Sequence, residues 1–231
     1  MYSIRPTRLD HVALWVADRD TLAAFLCGYL GMHVIERTDD FTLVGADARL
    51  GKLTLFAAEG PREPGALRRI VLRVTDLEGA LAALPEGLPV ERSDAEVVGF
   101  EGPERLGLGL TRGDATTDYD IDHVALAVPD PERTGRELRE LGFDQLDGRL
   151  AVADKHIRLE PGPGEGASGR PLLNHLALLV DSAEVLRHEA DRRGLPVARV
   201  VDAPNTFAVF VRGPAGIELE YVEHKPGFAL T

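Results

Sequence analysis

An α+β fold built from four βαβββ units is predicted by three features of the 231-residue sequence. One ten-residue pattern is written twice, "LDHVALWVAD" from Leu9 and "IDHVALAVPD" from Ile121. Shorter relatives begin at Leu67 and Leu172, and each of the four is followed by a helical pattern and then three short strand-like stretches. A polar stretch, "TRGDATTDYD", separates the second unit from the third.

The first unit opens with the strand pattern "LDHVALWV" and reaches Asp18, a good helix N-cap. "RDTLAAFLCGYLG" then places apolar residues at helical spacing and stops at Gly31, after which "MHVIERT", "FTLVGA" and "KLTLFAA" read as strands. The second unit runs "LRRIVLRV", Asp76, the helix "LEGALAAL", and the strands "VERS", "EVVGFE" and "RLGLGLTR". The third runs "IDHVALAV", "PDPERTGRELRELG", "FDQLD", "RLAVAD" and "KHIRLE". The fourth runs "LLNHLALLV", "DSAEVLRHEADRRG", "LPVARVV", "FAVFV" and "GIELEYV". A unit with one helix cannot cover both faces of its strands, so neighbouring units are expected to pair. Pairing in sequence order gives two domains, 1–113 and 119–231, each a curled mixed sheet with helices outside and a concave face within.

Composition narrows the function classes. The chain is 44% hydrophobic with no apolar run near the ~18 residues that a membrane helix needs. Its formal charge of −12, from 38 acidic and 26 basic residues, speaks against a nucleic-acid or anionic-membrane partner, because phosphates need a clustered positive field. Cys27 is the lone cysteine, and the start "MYSIRPTRLD" lacks the apolar core of a signal peptide, which points to a reducing, cytoplasmic setting.

Strand alternation puts His123, Ala125 and Ala127 on one face, and His175, Ala177 and Leu179 on one face of another strand. The small alanines leave room beside each imidazole. Glu218, Glu220 and Val222 share a face of the last strand. A single histidine at a strand edge commonly satisfies a backbone carbonyl, and two alternate glutamates commonly face water. Two imidazoles with one carboxylate and open positions instead make the facial triad that holds non-haem Fe(II), and such a set also accepts Mn(II) or Zn(II). In the first half, Arg69 aligns with His175 and Gly109 with Glu220, so that half is expected to be a scaffold copy in which His11 caps or packs.

These residues resemble the vicinal oxygen chelate superfamily, which groups glyoxalase I, methylmalonyl-CoA epimerase, bleomycin-resistance proteins and type I extradiol dioxygenases. The four-unit chain is most similar to the extradiol dioxygenases. The stretch "FVRGPAGIELE", ending at Glu220, resembles their terminal signature, in which proline, one residue and glycine precede the glutamate ligand. The resemblance implies His123, His175 and Glu220 as metal ligands and His156 as the catalytic acid/base. It also implies a small aromatic diol and O2 as reactants and cytoplasmic catabolism of aromatic compounds; a homo-oligomer is left open. Two departures stand out. The family's tyrosine ten residues before the glutamate ligand falls on Phe210, which keeps a pocket wall but no hydroxyl. Glu160, aligned with Glu220, offers the fourth protein ligand of glyoxalase- and epimerase-like members. The expected function is therefore an Fe(II)- or Mn(II)-dependent ring-cleaving dioxygenase, with a metal-dependent isomerase or lyase, and then a metal-free binder, as alternatives. The loop "PGPGEGASG" is no phosphate cradle, since no lysine or helix start follows it; it reads as a lid or a linker.

Overall fold

The computed structural model describes residues 4–94, 96–146, 149–164, 169–226 and 228. The first unit comprises β1 (Arg8–Val16), α1 (Arg19–Tyr29), β2 (His33–Arg37), β3 (Phe41–Gly45) and β4 (Lys52–Ala57). The second comprises β5 (Leu67–Val74), α2 (Leu77–Ala82), β6 (Val90–Asp94), β7 (Val97–Glu101) and β8 (Gly107–Arg112). The third comprises β9 (Asp120–Val128), α3 (Pro131–Glu140), β10 (Asp144–Leu146), β11 (Arg149–Val152) and β12 (Lys155–Pro161). The fourth comprises β13 (Leu173–Leu179), α4 (Ala183–Arg193), β14 (Val197–Asp202), β15 (Thr206–Arg212) and β16 (Glu218–His224).

One local device starts α1, α2, α3 and α4. The side chains of Asp18, Asp76, Asp130 and Ser182 each accept a hydrogen bond from the backbone N–H three residues on, which satisfies an orphan donor of the first turn. Of the loop 161–169, residues 165–168 lie outside the described residues, so the lid reading is not addressed. No helix among the described residues is long and apolar enough to cross a membrane.

The sixteen strands form two mixed sheets of eight, in the orders β14-β15-β16-β13-β1-β4-β3-β2 and β10-β11-β12-β9-β5-β8-β7-β6. Unit one therefore pairs with unit four, and unit two with unit three. This corrects the sequence-order pairing and the division at 113/119. The physical reason lies in the connections. The segment after β4 and the segment before β13 run side by side, joined by a parallel bridge between Glu63 and Pro171. Backbone bonds Glu63 N–H to Arg170 O (2.9 Å) and Leu172 N–H to Glu63 O (2.7 Å) fix it. Both crossings between the sheets are thus tied together, and each carries the chain away from its sequence neighbour.

Alternation then sorts the side chains. Val12 and Leu14 of β1, Leu176 and Leu178 of β13, Ile70 and Leu72 of β5, and Val124 and Leu126 of β9 all enter one hydrophobic cluster with Leu22 and Leu26 of α1. Tyr221 is fully buried in the same cluster and donates its hydroxyl to Leu141 O at 2.7 Å, joining unit four to unit three. The intervening residues, His11 and Ala13 on β1 and His175 and Ala177 on β13, are left for the opposite face.

Candidate metal centre

Register brings three donors together on that face of the first sheet. β1 and β13 are antiparallel with His11 opposite Ala177 and Ala13 opposite His175, so the two imidazoles sit diagonally with alanine between them. β16 runs parallel to β13 with Glu220 beside Ala177. His175 Nε2 lies 2.9 Å from Glu220 Oε2, His11 Nε2 lies 3.4 Å from the same oxygen, and the two Nε2 atoms are 3.3 Å apart. Among the described residues this is the one group of three or more such side chains whose ligand atoms lie within 4.8 Å of one another.

Donors at about 2.1 Å from a first-row divalent ion lie roughly 3.0 Å apart when cis in an octahedron and roughly 3.4 Å apart in a tetrahedron. The observed separations, 2.9 to 3.4 Å, lie within 0.1 Å of that span, and the chemistry of the set agrees with it. The Nδ1 of His11 is bonded to Asp10 Oδ2 at 2.9 Å and that of His175 to Asn174 Oδ1 at 3.0 Å. Each Nδ1–H is therefore the donor, and each Nε2 is the atom that faces Glu220 and would face an ion once its proton is displaced. Asp10 is held in turn by Lys52 Nζ, at 3.0 and 2.8 Å from its two oxygens, and both residues are buried. His224 Nε2 approaches Asp10 from the end of β16 at 3.5 Å.

The electrostatics show how strongly these groups are coupled. Burial opposes a charged His11, but hydrogen bonds to Asp10 and Glu220, and their charges, outweigh it and raise its pKa to about 9. Burial would raise the Glu220 carboxyl, yet hydrogen bonds from His11 and His175 hold it down at about 2. His175 goes the other way: burial lowers it, and Glu220 does not compensate. Burial also acts against the Asp10 carboxylate, and His11 and Lys52 overcome it and keep its pKa well below the usual range.

Aromatic rings border the donors. Phe210 stands edge-on to His175, with centroids 5.1 Å apart, and Phe56 lies 6.2 Å from the same ring. Phe210 is paired across β15 and β16 with Glu220, which sets its ring beside these donors. Trp15 tilts against Phe56, with ring centroids 5.5 Å apart.

Other expectations change. His123 lies on β9 in the second sheet and does not meet His175 and Glu220; His11, expected only to cap or pack, is the histidine that does. His156 is in register with His123 on β12, away from the triad, and its counterpart in the first sheet is Lys52, in register with His11. Glu160 sits opposite Ala127, exposed and two residues beyond the position that matches Glu220. The matching positions are the last-strand partners of the residue two beyond each first-strand site residue: Glu220 opposite Ala177, Thr54 opposite Ala13, Gly109 opposite Val71 and Arg158 opposite Ala125. Sequence reasoning missed His11, Asp10, Lys52 and Asn174. The repeated "DH" pair with alanine two residues later was a signal for His11, but it did not say which unit would dock on unit four.

Residues 8–92 match the family model described as the Glyoxalase/Bleomycin resistance protein/Dioxygenase superfamily. No curated protein matches the chain. Solved structures of similar fold include a putative dioxygenase from Bacillus subtilis subsp. subtilis str. 168, with 19% identity over 97% of this chain and 87% of that one and a TM-score of 0.78. Glyoxalase I from Zea mays is 16% identical over 94% of this chain and 92% of its own, with a TM-score of 0.71. The cppA protein from Streptococcus pneumoniae TIGR4 is 16% identical over 94% and 98%, with a TM-score of 0.65. At these identities the likeness is one of fold. The resemblance to the vicinal oxygen chelate superfamily read from the sequence is borne out, by the family model over the first unit and part of the second and by the architecture of the whole chain.

Proposed function

We propose that this chain is a divalent-metal enzyme of the ring-cleaving dioxygenase type, with His11, His175 and Glu220 as its metal ligands. The observation that carries the reading is the donor count. The fourth strand position, where glyoxalase-like members place a second carboxylate, is Thr54, in register with Ala13 and buried. Two neutral imidazoles and one carboxylate on one face leave the remaining positions for exogenous ligands. When bound there, Fe(II) or Mn(II) would supply Lewis acidity and adjacent sites for a vicinal diol and O2; Zn(II) would fit the donors without redox chemistry.

The chain's own residues prepare the site. The Lys52–Asp10 pair fixes the ring plane and tautomer of His11, and Asn174 does the same for His175. Phe210 and Phe56 border His175 with apolar rings. The acid/base role expected of His156 does not transfer, because its counterpart Lys52 is committed to Asp10.

The test is anaerobic purification, measurement of bound metal, loading with Fe(II), and mixing with a panel of catechols under O2. A yellow ring-fission product with matching oxygen uptake is expected. Metal binding without oxygen uptake on any diol would assign the site to proton transfer next to a carbonyl, as in an isomerase or lyase. A chain that binds no divalent metal would overturn both.

A further inference from the structure

The second sheet presents a face equivalent to the metal-bearing one, with the charge inverted. By the register given above, Arg69, His123 and Arg158 occupy the places of His11, His175 and Glu220. The guanidinium of Arg69 is accommodated by glycine: a Cβ on Gly99 would lie 2.5 Å from its Cζ, and one on Gly109 3.0 Å from its Cδ. Where the first sheet offers a carboxylate to a cation, the second offers fixed cations.

A cleft of about 550 Å³ opens over unit three. Among the described residues, four arginines and two histidines line it (Arg136, Arg139, Arg149 and Arg158, with His123 and His156), with Glu132 as the one acidic residue. Arg136 and Arg149 enter no ion pair among the described residues. His123 is only 6% exposed, and its Nδ1 is held 2.8 Å from Asp122 Oδ2, which Arg73 Nε anchors at 2.8 Å, so Nε2 is its remaining polar atom. The Nδ1 of His156 is buried with no hydrogen-bond partner among the described residues. Leu150, Ile157 and Leu159 add an apolar wall, and Gly135 on α3 leaves open space above it, since a Cβ there would meet only Leu159 within 4 Å. A chain of net charge −12 repels anions at long range, so this basic concentration is a local feature that would otherwise cost self-repulsion.

We infer that this cleft is a second small-molecule site, for an organic anion whose carboxylate or phosphate group is held by Arg149 and Arg158 with His156. The planar guanidinium fork suits either oxyanion, and an apolar or aromatic body would pack on Leu150, Ile157 and Leu159. The site is independent of the metal triad, which lies on the other sheet.

Isothermal titration of the full chain, metal-loaded and again after chelation, with benzoate, phenyl phosphate, inorganic phosphate and benzyltrimethylammonium tests this. Saturable one-to-one binding of benzoate or phenyl phosphate, equal in the two metal states, is expected, and the tighter of the two identifies the oxyanion. Arg149→Glu, at an exposed position where folding is not at stake, and Arg158→Ala should each weaken binding at least ~10-fold, the loss expected for one charge-assisted contact. No saturable binding of either aromatic anion would overturn the inference. So would binding that disappears on chelation, equal binding of the ammonium probe, inorganic phosphate binding as tightly as phenyl phosphate, or affinities unchanged in both arginine variants.

Discussion

Replacing His11 with alanine removes one of three donors whose ligand atoms all lie within 4.8 Å of one another. Structural zinc sites with four ligands bind with about 10–16 kcal/mol, so one ligand is worth roughly 2.5–4 kcal/mol, or about 10²- to 10³-fold in affinity. His11→Ala should lose that much in a competition titration against a chromophoric chelator. His123→Ala, on the other sheet beside Asp122, should lose less than about threefold, since it touches no member of the triad. A second readout follows from mass action. Metal at 1,000 times its dissociation constant stabilises by about 4 kcal/mol, roughly 10 °C in melting temperature for a chain of this size. That metal-induced shift should persist in His123→Ala and collapse in His11→Ala. Equal losses in the two variants, or a metal-induced shift that survives in His11→Ala, would refute the pairing of unit one with unit four as the source of the site.

Asp10→Asn weakens the grip on the His11 ring and should cut metal affinity about 10- to 100-fold in the same titration, with His175 unaltered. It also strands the buried Lys52 ammonium, so Asp10→Asn should destabilise the metal-free protein by about 3–5 kcal/mol, and adding Lys52→Met should restore part of that in urea unfolding. Tyr221→Phe leaves Leu141 O without its buried donor and should cost about 1–3 kcal/mol while metal affinity stays unchanged. Asp122 supplies a pH-dependent contribution. Burial would raise its carboxyl, but hydrogen bonds from His123 and Arg73 hold it down at about 2, below its unfolded value near 3.8. Its stabilisation is therefore full above about pH 4 and is lost as pH falls through 2. After discount for solvent screening it amounts to about 1 kcal/mol, so Asp122→Asn should be that much less stable at pH 7, and the gap should close between pH 4 and pH 2.

The units were legible because their signals are local. Strand alternation, the Asp18, Asp76 and Asp130 caps and the glycine stop at Gly31 each act within a few residues, and the structure places elements where they point. His175 and Glu220 were legible as partners for a related reason: both belong to unit four, where β13 and β16 are parallel neighbours. The docking of one unit on another is different in kind. It depends on crossings around Glu63 and Pro171, far from either histidine, and four similar units offer several ways to pair their first strands.

Electrostatics nonetheless contained a way to choose. Unit four brings one imidazole and one carboxylate and needs a second imidazole, which unit one and unit three both carry after an aspartate and two residues before an alanine. The units differ at the last-strand position that would face the ion. Unit one has neutral Thr54 there, and unit three has Arg158. A guanidinium at that position repels a divalent cation, whereas a threonine is indifferent. Aligning strand ends put Glu160 in that position and hid the difference; the true register is two residues earlier. Once Arg158 is read there, unit three suits the proposed anion site better than a cation site, and His11 is the histidine left to join His175 and Glu220.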